Sequence, residues 1–196
     1  MNAATIGFIP MGPLDETTMS QMTPIAQRRL AAIGTFMAEG NGYNVIQFTR
    51  PQTIGYGLED SHVALLTWIV DKVQAWTHAT ETLTNSHYRQ RQLANVLLYW
   101  LTRTATSAAN NIYAEYTSLF AEPSAFANSG VPTAVIAFAE DPPIRQFAEH
   151  ANTIARWTDV EDGGHFAALE QPEQLIADLR SFVTSDLQLV PASARS

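Results

Sequence analysis

The sequence predicts the closing portion of a doubly wound α/β fold, in which parallel strands alternate with helices, joined to a long stretch of helices and loops. Three observations lead there. Val131-Pro132-Thr133-Ala134-Val135-Ile136-Ala137-Phe138 is a continuous apolar run bounded by turn residues, the pattern of a strand covered on both faces. The segments that follow it read in the order β-α-β-loop-α, which fits parallel pairing. The middle of the chain shows helical spacing and no strand-like alternation.

Taken in order, Thr5-Ile6-Gly7-Phe8-Ile9 reads as a short buried strand closed by Pro10, and the Pro-, Gly-, Asp- and Thr-rich residues up to Thr23 read as a loop. Thr23-Pro24 supplies an N-cap and a first-turn proline. Ile25, Leu30, Ile33 and Met37 then recur at helical spacing until Gly40-Asn41-Gly42 ends the run. From Tyr43 to Gly57 turn-forming and β-branched residues mix without a period, which predicts an ordered loop. Asp60 or Ser61 caps a second helix whose Leu65, Leu66, Ile69, Val70, Val73 and Trp76 cover more than one face, so it should be largely buried. A polar stretch from Thr77 to Gln90 precedes a third helix marked by Leu93, Val96, Leu97, Trp100 and Leu101, and a fourth runs through Thr106 to Tyr116. After Glu122-Pro123 come the Val131 strand, a helix over Ile144 to Ala151, a strand over Thr153 to Val160 and a closing helix over Pro172 to Thr184. Leu175, Leu179 and Phe182 mark the inner face of that last helix.

Composition narrows the function. At 196 residues with 46% hydrophobic and 15% charged side chains, the chain can bury a sizeable core. Its net charge of -8, from 19 acidic and 11 basic residues with no Lys/Arg cluster, argues against nucleic acid as a partner. Without cysteine there is no disulfide, thiolate ligand or thiol nucleophile, and the five histidines have no zinc-ligand spacing, so neither metal nor cofactor is expected. Met1 to Pro10 show no basic leader or long apolar run, which predicts a cytoplasmic protein without membrane attachment.

The strongest chemical signal is Asp162-Gly163-Gly164-His165-Phe166, followed by Ala167-Ala168-Leu169-Glu170-Gln171-Pro172-Glu173. A glycine pair permits a tight backbone path, so a loop between rigid elements can present the imidazole. Glu140 or Asp141, just past the Val131 strand, would lie at the same sheet edge. A carboxylate there can orient the imidazole and stabilise its cation while the other ring nitrogen takes a proton from water. A solvated Glu-Asp turn beside a loop-capping histidine is the competing reading.

Several stretches together resemble the α/β-hydrolase epoxide hydrolases, in particular the microsomal-type branch. They are Gly42 to Ser61 (GYNVIQFTRPQTIGYGLEDS), Trp68-Ile69-Val70-Asp71-Lys72-Val73 with Trp76, Asn95 to Thr102 (NVLLYWLT), Val131-Pro132-Thr133 and Gly163 to Glu170 (GGHFAALE). The resemblance implies a core strand over 1–10, a helical lid over 11–122, the C-terminal part of the α/β-hydrolase core over 123–190 and a tail over 191–196, with an incomplete sheet. It implies a small apolar epoxide as substrate, opened by an aspartate to an ester that a His-acid-activated water then cleaves to a vicinal diol. On the matching motifs His165 is the base, Asp141 its acid with Glu140 as the alternative, and Tyr43 and Tyr113 are the lid phenols that hydrogen-bond the epoxide oxygen.

The family's attacking aspartate sits on a Gly-x-Asp-x-Gly turn, and no such motif occurs among the 196 residues. The expectation is therefore of a chain that is inactive alone: a fragment, a degenerate remnant, or one half of a split enzyme completed by a second chain. Parallel strands without neighbours would expose apolar surface and unpaired backbone groups. The alternative to catalysis is a scaffold that binds an apolar ligand, a complementing half-chain or a copy of itself.

Overall fold

A computed structural model of the chain describes residues 16–78, 84–121, 127–141 and 143–186. The expected strand at Thr5–Ile9 and the tail at 191–196 lie outside them. The described residues form two compact units, one from residues 16–33 and 127–186 and the other from residues 34–121.

In the first unit, a single turn α1 (Glu16–Ser20) occupies part of the stretch expected as loop. The Thr23 hydroxyl then accepts the Ala26 N–H at 3.2 Å and starts α2 (Pro24–Thr35), with its proline in the first turn where no N–H is needed. Met22, Ala26, Leu30 and Ile33 pack on Ile144 and Phe147, so the residues of α2 up to Ile33 belong to this unit although they fall within 11–122. A π-helical turn, Phe36–Gly40, ends the helix at the expected glycine.

Strands β1 (Pro132–Ala137) and β2 (Thr153–Asp159) pair in parallel, from Pro132 opposite Thr153 to Ala137 opposite Asp159, with an irregularity between Thr133 and Ala134. The crossover helix α8 (Arg145–Ala151) links them, as a parallel connection requires, and buries Phe147. Past the histidine loop lie a short turn α9 (Ala167–Glu170), then α10 (Pro172–Ser181) and a π-helical turn, Phe182–Asp186. Buried Asp178 on α10 accepts hydrogen bonds from Arg156 Nε and Thr158 Oγ1 of β2, both at 2.7 Å. That carboxylate holds the Arg156 guanidinium more firmly protonated than usual and pins α10 to the sheet.

The second unit is helical: α3 (Gly42–Thr49), α4 (Pro51–Asp60), α5 (His62–Trp76), α6 (Ser86–Thr102) and α7 (Ala105–Ala121). Helices α3 and α4 replace the ordered loop expected from Tyr43 to Gly57. The buried stripe of α4 is Pro51, Gly55 and Leu58, spaced i, i+4, i+7, and only one of these is strongly apolar, so the period is hidden in the sequence. Ser61 and Asn85 cap α5 and α6 through the Ala64 N–H and the His87 and Tyr88 N–H groups. Helix α5 is less enclosed than expected, with Leu65 and Val73 buried but Val63 exposed. On α6 the buried residues are Tyr88, Gln92 and Val96, four apart, while Leu93, Leu97 and Leu101 face outward. No helix among the described residues is long and apolar enough to cross a membrane.

Candidate active site

The loops that leave β1 and β2 at their carboxyl ends are sewn together by main-chain bonds. The Val160 N–H donates to Ala137 O at 2.8 Å, the Glu140 N–H to Gly163 O at 3.4 Å and the Asp141 N–H to Phe138 O at 3.1 Å. Gly163 takes a left-handed φ of 81°, and a Cβ there would sit 2.7 Å from Gln171 Cγ and 2.9 Å from Phe138 Cδ1. Glycine is thus required by both conformation and space. Asp162 anchors the loop, accepting the Gly163 N–H and the Gln171 side-chain amide, each at 2.7 Å.

This scaffold brings His165 Nδ1 to 3.3 Å from Asp141 Oδ1 across 24 residues of sequence. Asp141 is buried and His165 half-buried, so their interaction is screened less than a surface pair would be. The structure sets the Asp141 carboxylate against the imidazole, and Glu140, the alternative acid, is exposed. The Phe166 ring meets the His165 ring edge-on at 5.3 Å. Asp141 and His165 share the wall of a mainly apolar cleft of about 330 Å³ with Ile136, Phe138, Leu175 and Phe182. A carboxylate on Nδ1 fixes the tautomer, and the arrangement can take a proton from water at Nε2 and stabilise the resulting imidazolium.

Tyr43 and Tyr113 lie in the helical unit, on α3 and α7, which pack together through the stacked rings of Phe48 and Tyr116, 4.0 Å apart. Tyr113 is exposed. Tyr43 is half-buried, and its phenol is held above its ordinary value of 10.0 by burial, which a hydrogen bond with Asn44 partly offsets. Its ring is edged by Phe36, Trp68 and Trp76. The sequence reading missed Lys72, whose ammonium lies over that ring, and Asp178. The spacing of Trp68, Lys72 and Trp76 on one helix face could have drawn attention to Lys72, whereas the partners of Asp178 lie on another element and leave no local signal.

No family model matches the chain. Among known proteins it is similar to a Stigmatella aurantiaca protein that carries the provisional name epoxide hydrolase, 34% identical over 164 residues, which are 82% of this chain and 36% of that protein. It is 32% identical over 160 residues to epoxide hydrolase 1 of Sus scrofa, covering 76% of this chain and 35% of the relative. Among solved structures it is similar to the Aspergillus niger epoxide hydrolase, with a TM-score of 0.74 and 29% identity over 95% of this chain and 44% of the other. The chain thus spans about a third of the length of the curated relatives it matches. The expectation of part of an α/β-hydrolase fold, with few strands and many helices, is borne out by the likeness to these structures. Sequence similarity over three quarters or more of its length, joined to a shared fold, makes this chain a member of the epoxide hydrolase family of α/β-hydrolases.

Proposed function

We propose that this chain carries the water-activating and oxirane-binding groups of an epoxide hydrolase that converts small apolar epoxides to vicinal diols. In the first step a carboxylate from outside these 196 residues attacks a ring carbon; the C–O bond breaks while the Tyr43 and Tyr113 hydroxyls donate to the oxygen that becomes alkoxide and then hydroxyl. In the second, His165 removes a proton from water, the oxygen adds to the ester carbonyl, and the diol leaves as the carboxylate is regenerated. Asp141 keeps the imidazole in the productive tautomer and offsets its positive charge. The observation that carries this reading is the 3.3 Å contact of His165 Nδ1 with Asp141 Oδ1 beside an apolar cleft.

The chain by itself should not turn over a simple aryl epoxide. Complemented with the remainder of the Stigmatella relative, in one polypeptide or as two, it should form diol. His165→Ala should then lower turnover by about 10²-fold or more and let the covalent ester accumulate, visible by mass spectrometry as a shift equal to the epoxide. Complemented protein that forms diol equally well without His165 would overturn the assignment. Rapid diol formation by the pure chain, abolished by His165→Ala, would show that the attacking group lies within it. A folded complemented protein that binds apolar ligands yet never opens an epoxide would favour the scaffold reading instead.

A further inference from the structure

Trp68, Lys72 and Trp76 stand four residues apart on α5 and so share one helix face. That face meets Tyr43. The Trp68 and Trp76 rings approach it edge-on with centroids at 6.5 and 5.5 Å, and Phe36 adds a third edge at 6.4 Å. The Lys72 ammonium lies 4.9 Å from the Tyr43 ring centroid and 5.9 Å from that of Trp76. The Lys72 side chain is only 22% exposed, and Asp71 Oδ2, 68% exposed, pairs with its ammonium at 2.7 Å. A lysine ammonium is strongly hydrated and ordinarily extends into water; here it is held among aromatic rings, one of which bears the phenol proposed to act on substrate.

We propose that Lys72 is a positioning residue for Tyr43: held over the ring beside Trp76, it fixes where the phenol points and draws electron density from it, strengthening the hydroxyl as a donor to an epoxide oxygen. Burial and cation act in opposite senses on this group. Burial keeps the phenol protonated and the Asn44 hydrogen bond works against it; an ammonium over the ring face acts in the same sense as that hydrogen bond and makes the proton more available. The proposal rests on Tyr43 being a donor to substrate, so its test has one arm that depends on that reading and one that does not.

The independent arm is a carbon-13 NMR titration of the full chain labelled at tyrosine Cζ, with Tyr43→Phe identifying the signal among six tyrosines. Lys72→Met should raise the Tyr43 pKa by about half a unit or more, and Lys72→Arg should restore it. Asp71→Asn, which removes the competing carboxylate at an exposed site, should lower it, and that variant decides the matter if Lys72→Met does not fold. An unmoved Tyr43 titration in folded Lys72→Met, or in folded Asp71→Asn, overturns the proposal. In the dependent arm, using complemented protein, Lys72→Met should reduce kcat about tenfold with little change in KM, and Lys72→Arg should rescue it. If Tyr43→Phe leaves turnover intact while the NMR shift is present, the reading of Tyr43 fails and the coupling of Lys72 to its ring stands.

Discussion

The acid-histidine couple depends on a glycine as much as on its own two side chains. Gly163 lies in the left-handed region with Gln171 and Phe138 packed against the place a methyl would occupy, so Gly163→Ala combines backbone strain with overpacking. It should lower the stability of its unit by about 1–3 kcal/mol in urea titration and shift the imidazole resonances of His165. At this scale much was legible. The run Asp162-Gly163-Gly164-His165 declares a constrained histidine loop, and Asp141 sits where a strand end would leave an acid. The environment of Tyr43 was not legible, because Lys72 and Phe36 reach it from separate elements, and no local pattern encodes that meeting.

Between elements, the approach of α4 to α7 governs the helical unit. Gly55 faces Thr106 so closely that a Cβ would stand 2.8 Å from the Thr106 Cα, and one turn on, Glu59 Oε1 accepts the Thr106 N–H at 3.0 Å. A side chain of one helix thereby serves an orphan donor in the first turn of another. Its contact with Thr106, whose backbone N–H donates to it, holds the Glu59 carboxyl below its ordinary value of 4.5. Because the folded-state value is depressed, its contribution to stability is complete above that ordinary value and is lost as pH falls through the lowered one. Glu59→Gln should flatten the acid limb of the α4–α7 unfolding profile followed by tryptophan fluorescence, with little effect at neutral pH beyond a weaker cap. The sequence hides this arrangement for the reason it hides α4 itself: a stripe built from Pro51 and Gly55 buries without looking apolar. Where burial falls within an unbroken apolar run, as at Val135 and Ala137 of β1, the pattern was plain.

Across the whole chain, the couple and the two phenols belong to different compact units. Gly55→Val should therefore destabilise the α3–α7 helices by a few kcal/mol, reported by Trp68, Trp76 and Trp100, while the His165 NMR signals hold their positions. Loss of both sets of signals together would show that the units unfold as one. The doubly wound α/β class could be read from a strand-helix-strand-loop-helix order confined to residues 131–184, since each of those elements carries its own period, whereas the hydrolase family entered only through the resemblance of motifs such as Gly163 to Glu170. The membership of α2 in that unit could not, because its apolar stripe says that it must pack and not against what.

That membership makes the first unit discontinuous, with α2 on one side of residues 34–125 and its partners Ile144 and Phe147 on the other. A ribosome therefore releases the greasy stripe of Met22, Ala26, Leu30 and Ile33 long before Ile144 and Phe147, the residues it packs on. The intervening helices must be translated in full before that stripe can meet these two partners, so this part of the core closes only after residue 147 has been made.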